Sequence, residues 1–136
     1  MILVDTSVII KFLKGQESKK VILLQEILEQ NWPYGISAFT YLEVLQGARD
    51  ETEWITLHDY LSTQTIYYLE SSVGIYEKGA RLFFDLRGKG IIPRSTVDLL
   101  IVLTALEHGL ALLHDDRDFD MIAGHVPGLR ILEQVQ

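Results

Sequence analysis

Met1-Ile-Leu-Val-Asp-Thr-Ser7 is the stretch that decides how the rest of the chain reads. Ile2, Leu3 and Val4 favour extended backbone. An apolar run without alternation predicts a strand covered on both faces, as in the middle of a parallel sheet. Asp5 then stands where that strand emerges at its carboxyl end, the edge at which open α/β sheets bind ligands. Thr6 and Ser7 place two hydroxyls beside the carboxylate.

Outward from that strand, short β-forming runs alternate with longer amphipathic ones. Val8, Ile9, Phe12 and Leu13 give residues 7–13 a helical spacing that Gly15 stops. Residues 17–30 form a second helical pattern, with Val21, Leu24, Ile27 and Leu28 on one face. A strand is expected over 34–37, helices over 39–47 and 52–61, and a brief β run over 65–69. A long helix over 73–86 is closed by Gly88-Lys89-Gly90, and 91–93 is a loop. Residues 97–108 are apolar nearly all round, which places that helix in the core. Leu110 to Leu113 is another short apolar strand, and it runs into the polar segment 114–120. Leu129 to Leu132 supplies a final edge strand. The alternation predicts an α/β fold, a mostly parallel central sheet with helices on both faces. With no repeat, linker or low-complexity tract, residues 1–136 are expected to form one domain.

Composition narrows the chemistry. The chain has 136 residues, 48% hydrophobic and 23% charged, ordinary values for a globular protein with a real core. It contains no cysteine, which excludes disulfides, thiolate metal sites and a thiol nucleophile. Asp5 interrupts the start of any signal-like segment, and the longest apolar run, Leu99 to Leu103, is far short of the roughly 20 residues of a membrane span. A soluble, cytoplasmic protein is expected, with no membrane partner. The net charge of −7 weighs against nucleic acid only if charge is spread evenly. It is not: Lys11, Lys14, Lys19 and Lys20 cluster near the start, and Arg87, Lys89 and Arg94 form a second group.

Asp5, Glu43, Asp98 and Asp116 stand out by position. Asp5 ends the first strand, Glu43 lies early in the helix after the second, Asp98 lies in the first turn of the buried helix, and Asp116 follows the strand at 110–113. In right-handed parallel units a helix starts at the sheet edge where the preceding strand ends, so these acids should converge there. Packed carboxylates raise one another's pKa. A hard cation such as Mg²⁺ or Mn²⁺, which takes oxygen ligands, relieves that repulsion. An all-acid site without thiol or imidazole ligands suits phosphodiester hydrolysis by a metal-activated water. Taken singly, each acid also reads as helix capping: Asp5 as a cap, Thr40-Tyr-Leu-Glu43 and Ser95-Thr-Val-Asp98 as capping boxes, and Asp115 to Asp120 as a solvated turn. An EF-hand over Asp116, Asp118 and Asp120 fails, because Met121 replaces the loop glycine and Pro127 the final Glu.

Val4-Asp-Thr-Ser7, Ile36-Ser-Ala-Phe-Thr-Tyr-Leu-Glu-Val-Leu-Gln-Gly47, Asp98-Leu-Leu-Ile101 and Leu113-His-Asp-Asp-Arg-Asp-Phe119 together resemble the PIN domain, and within it the VapC-type toxins of toxin–antitoxin pairs. The resemblance extends along nearly the whole chain. It implies a three-layer α/β/α fold and a Mg²⁺- or Mn²⁺-dependent endoribonuclease whose metal-binding and catalytic acids are Asp5, Glu43, Asp98 and Asp116. Asp118 would support them, with Thr6 or Ser7 as polar neighbours of the metal. It also implies RNA as substrate, and an antitoxin and a second copy of the chain as partners, on apolar faces such as 21–28 and 76–84. Val97 and His114 depart from the residues common at those positions in the family. The alternative is a PIN-like module that binds RNA or protein without cutting.

Of the remaining candidates, Lys11 and Lys14 lie one turn from the acidic edge and could contact phosphate, and Arg87, Lys89 and Arg94 could steer RNA or form a solvated loop. Tyr67, Tyr68 and Tyr76 could stack on bases, although core packing is the commoner use. His114 at a strand end reads as a structural histidine or a proton donor. A receiver-type phosphoacceptor domain is disfavoured: the run 65–69 ends in Glu70, and no lysine follows Leu113.

Overall fold

The computed structural model describes residues 1–134. Among them lie strands β1 (Ile2–Val4), β2 (Tyr34–Ser37), β3 (Ile66–Tyr67), β4 (Ala111–Leu113) and β5 (Arg130–Ile131). The helices are α1 (Thr6–Leu13), α2 (Lys19–Glu29), α3 (Ala38–Gln46), α4 (Glu51–Leu61), α5 (Val73–Gly88), α6 (Thr96–His108) and α7 (Arg117–Ala123). The sheet has the order β3-β2-β1-β4-β5 and every pairing is parallel. The chain therefore winds outward from β1 in one direction and then returns to add β4 and β5 on the other side. The switch point of the topology falls between β1 and β4, beside Asp5.

Alternation along the central strands builds two cores. Ile2 and Val4 join Val8, Ile9, Leu24, Ile27, Leu61 and Leu113 on one face of the sheet. Leu3 and Leu112 point the other way, toward Leu86, Leu99, Ile101, Val102, Phe119 and Ile122. Helices α1–α4 thus cover one face and α5–α7 the other, the three-layer α/β/α arrangement that the sequence predicts. Helix α6 buries residues around most of its circumference, including Leu99, Ile101, Val102, Leu103 and Ala105. It stops at Gly109, whose φ of 63° suits a residue without a Cβ.

Two local readings change. The expected polar turn at 114–120 is in part helix α7: the Asp116 side chain accepts from the Asp118 N–H at 3.0 Å, and Phe119 and Ile122, three apart, are both fully buried. The capping box at Thr40 and Glu43 does not form. Helix α3 starts earlier, at Ala38, because Ser37 is the residue in extended conformation, and its hydroxyl accepts from the Thr40 N–H at 3.0 Å. Glu43 therefore lies in the second turn, clear of any capping duty. Ser95 does cap α6, through the Val97 N–H at 3.1 Å.

The β2–β3 pairing is narrow and depends on Gly35. A Cβ there would lie 2.5 Å from the Tyr67 ring and 2.7 Å from the Thr65 carbonyl oxygen, while the next residue's N–H donates to that same carbonyl at 2.9 Å. Among the described residues no helix is long and apolar enough to cross a membrane.

Candidate active site

Asp5 leaves β1 and is almost sealed, at 3% exposure. Its Oδ2 is fixed by local geometry, accepting from the Ser7 N–H at 3.0 Å and from the Ser7 hydroxyl at 2.6 Å. Ser7 Oγ in turn accepts from the Asp115 N–H at 2.9 Å, tying the end of β1 to the segment that follows β4. The other oxygen, Oδ1, is buried and has no hydrogen-bond partner among the described residues. Leaving a buried carboxylate oxygen unsatisfied is costly, so such an atom points to a partner outside the chain. Burial pushes the Asp5 pKa up, against the lowering pull of the Ser7 hydrogen bonds, and the Glu43 charge adds to the rise.

Glu43 is held from the α1 side. Its Oε1 lies 2.7 Å from Thr6 Oγ1, which is 3.0 Å from Thr40 Oγ1, itself 3.3 Å from Ser37 Oγ. Each hydroxyl has one proton to donate. The arrangement that satisfies every link runs Ser37 to Thr40 to Thr6 to Glu43, with the carboxylate as final acceptor. Ser37, Thr40 and Thr6 are all buried, so the chain is shielded from competing water.

Asp98, in the first turn of α6, and Asp116 and Asp118, at the start of α7, present carboxylate oxygens within 4.8 Å of one another. Asp98 is half-buried, and its pKa is pushed up to about 7, first by burial and then by the charges of Asp5, Asp116, Glu43 and Asp118. Five acids from four separate segments thus act on one another at the carboxyl edge of the sheet. The expected quartet is brought to this edge, but the tightest group is the trio Asp98, Asp116 and Asp118. Asp118, expected as a supporting acid, is one of this trio. The α7 start explains why: capping by Asp116 turns the backbone so that both carboxylates face the same way.

Arg94 closes the outer side. Its Nε donates to Asp118 Oδ2 at 2.7 Å, and its Nη2 to Asp116 Oδ1 and Oδ2 at 3.0 and 3.3 Å. No periodicity signals this contact, because Arg94 sits in a loop ahead of α6. The other bases differ. Lys11 is engaged by Asp115 at 2.8 Å; burial works to raise the Asp115 pKa, but the hydrogen bond and charge of Lys11 hold it below its usual value. Lys14 is exposed and borders a groove that Glu43 also lines. Arg87 lies over the Phe83 ring at 5.7 Å. Lys89 borders His125 and Pro127, beyond the far end of α7 from the acids. The bases Arg87, Lys89 and Arg94 thus have different neighbours.

His114 is structural in its contacts. It is 2% exposed, its Nδ1 accepts from the Asp116 N–H at 3.1 Å, and its Nε2 lies 3.1 Å from Asp120 Oδ1. With Nδ1 accepting, the proton belongs on Nε2, and the ring packs against Phe119 at 5.1 Å. Tyr67 is likewise packed, 5.0 Å from the His108 ring, whereas Tyr68 and Tyr76 are exposed.

An all-parallel sheet with acids gathered at its switch point is the architecture of the PIN domain. The PIN domain family matches residues 2–125, and the chain belongs to that family. Its sequence relatives there are VapC ribonucleases. Ribonuclease VapC51 of Mycobacterium tuberculosis (strain ATCC 25618 / H37Rv) is 35% identical over 121 residues, covering 89% of this chain and 84% of that protein. VapC ribonuclease Mb1587 of Mycobacterium bovis (strain ATCC BAA-935 / AF2122/97) is 27% identical over 124 residues, covering 90% and 92%. Among solved structures, a toxin–antitoxin complex from Klebsiella pneumoniae superposes with a TM-score of 0.68 at 25% identity, covering 99% of this chain and 100% of that one. VapBC2 from Rickettsia felis, bound to a DNA fragment from its promoter, shares the fold with a TM-score of 0.72 at 22% identity, covering 100% of both chains.

Proposed function

We propose that this PIN-domain protein is a metal-dependent endoribonuclease that hydrolyses RNA phosphodiester bonds, and the toxin of a toxin–antitoxin pair. The observation that carries the reading is the buried Asp5 Oδ1, without a partner among the described residues, at the same edge as the trio Asp98, Asp116 and Asp118. That donor set is all oxygen and strongly anionic, which fits a hard divalent ion, Mg²⁺ or Mn²⁺. Asp5, Glu43, Asp98 and Asp116 would hold it, with Asp118 beside them. Such an ion supplies Lewis acidity toward a phosphoryl oxygen and lowers the pKa of water. The chain's own part is to fix the carboxylates in advance. Ser7 fixes Asp5, the Ser37–Thr40–Thr6 hydroxyls fix Glu43, and α7 capping fixes Asp116. Burial of Asp5 excludes water from the inner side of the site.

The ribonuclease names of the sequence relatives support RNA as the substrate, and the toxin–antitoxin complexes among the structural relatives support an antitoxin partner. Of the two apolar faces that the sequence offers for partners, α2 places Val21, Leu24 and Ile27 in the core and leaves Ile22 and Leu28 exposed, whereas α5 leaves the larger side chains of Tyr76 and Phe84, with Val73, more fully exposed. The α5 face is the better surface for an antitoxin or a second copy of the chain. Lys14 and Arg94 are the bases best placed for RNA. The cytoplasm, where RNA is available, is the compartment in which the activity would operate.

Asp5→Asn tests the reading. Asn can still accept from Ser7, so the cap and the fold should survive, while the anionic inner ligand is lost. The expected result is an unchanged circular dichroism spectrum together with loss of Mg²⁺-dependent cleavage of a cellular RNA pool. Cleavage at the wild-type rate would remove Asp5 from the site.

A further inference from the structure

Arg94 is the one base bonded directly to the acid trio among the described residues, and it is anchored in an unusual way. Its neighbours Ile91 and Pro93 are buried and Ser95 caps α6, so the backbone is fixed on both sides. The side chain is nevertheless 73% exposed. Among the described residues its side-chain hydrogen bonds all go to carboxylates, and those carboxylates, on Asp116 and Asp118, belong to the group whose oxygens can share a cation with Asp98. A guanidinium and a divalent ion are therefore alternative partners for the same two carboxylates.

We propose that Arg94 changes partners: a divalent cation bound by Asp98, Asp116 and Asp118 displaces it from the carboxylates, and the released guanidinium binds a phosphate of the RNA backbone. The inference rests on the nuclease reading of the site. Two physical arguments carry it. Carboxylate and phosphate offer the same fork of oxygens, and Arg matches either one in bidentate fashion. Charge gives the direction. Asp5, Glu43, Asp98, Asp116 and Asp118 present an anionic edge that repels a phosphodiester, and a cation that takes their charge also frees the base that attracts the substrate. Metal binding and RNA binding become coupled through one exposed side chain with a fixed root, and the coupling is reciprocal.

The test has two arms. In the first, Mg²⁺ alone is titrated into ¹⁵N-labelled wild-type protein and the Arg94 Nε–H resonance is followed. A shift that saturates with the metal is expected, and a resonance unchanged after the site is full would overturn the proposal. In the second, Arg94→Gln and Arg94→Lys are compared with wild type for Mn²⁺ affinity by calorimetry. Their affinity for a short single-stranded 2′-O-methyl RNA is measured by fluorescence anisotropy, with and without Mg²⁺. Loss of one charge-assisted bond corresponds to about tenfold in an equilibrium constant. Arg94→Gln should therefore bind Mn²⁺ about tenfold more tightly, yet bind RNA about tenfold more weakly, with the RNA defect present only when Mg²⁺ is added. Arg94→Lys, which keeps the charge but loses the fork, should fall between. Weaker Mn²⁺ binding by Arg94→Gln, or an RNA defect of equal size without Mg²⁺, would overturn the proposal. Wild-type protein that binds no Mn²⁺ would instead sink the nuclease reading itself.

Discussion

Replacing Asp98 by Asn, which removes its charge at nearly constant shape, is expected to stabilise the chelator-treated protein at alkaline pH. Asp98 is pushed from 3.8 up to about 7 by burial and by the surrounding acids. A raised carboxyl pKa means that the folded state holds the proton more tightly than the unfolded one. Stability is then fully present below the unfolded pKa and is lost as pH rises through the folded value, here between about pH 4 and pH 7. The interval corresponds to about 4 kcal/mol at full strength. Asp98 is only half-buried, so solvent screening brings the expected cost to on the order of 2 kcal/mol. For a chain of this size that is roughly 5–10 °C in melting temperature. Differential scanning calorimetry in EDTA at pH 5, 6, 7 and 8 should show wild-type melting falling across the series and Asp98→Asn falling much less. Asp5, shifted in the same direction, leaves a residual slope. Added Mg²⁺ should raise wild-type melting at pH 8 and raise the mutant less, since a ligand stabilises only the state that binds it. Wild-type protein that melts higher at pH 8 than at pH 6 in EDTA, or a mutant less stable than wild type at pH 8, would refute the electrostatic account.

The other expectations concern how the site is held. Thr6→Val removes the donor to Glu43 and breaks the buried hydroxyl chain; a loss of about 1–2 kcal/mol in urea unfolding is expected, with weaker Mn²⁺ binding by calorimetry. Gly35→Ala puts a Cβ against the Tyr67 ring and the Thr65 carbonyl, and overpacking of this kind costs about 1–3 kcal/mol, so hydrogen exchange at the Ile36 amide should speed up selectively. Phe119→Ala empties a fully buried position beneath Asp116 and Asp118; a destabilisation of about 3–5 kcal/mol is expected in denaturant unfolding, along with loss of Mg²⁺-induced thermal stabilisation.

Much of this was legible before any coordinates, and the rest was hidden for identifiable reasons. Apolar runs at 2–4 and 111–113 mark central strands because both faces are covered, so no polar residue interrupts the signal. The acids at strand ends and helix starts follow from the hand of parallel connections, which places distant positions on one rim. Helix α7 was obscured because its first turn is rich in Asp, and only two of its residues are fully buried. The helix expected over 39–47 begins one residue earlier, at Ala38; Ser37 and Thr40 are both good caps, and the choice between them depends on where β2 ends. Arg94 is a candidate base from sequence, but its contact with the acids has no local signal there. Its partners lie 22 and 24 residues away, and their meeting depends on how the α5–α6 connection packs beside β4.

The place of β1 in the middle of the sheet has a consequence for synthesis. Strand β1 pairs with Ala111–Leu113, so during synthesis Asp5 lacks its β4 neighbour until more than 100 further residues have been added. Asp98 precedes β4 in the chain, and Asp116 follows it. A chain that stalls before β4 therefore has neither the central pairing nor a complete acidic rim.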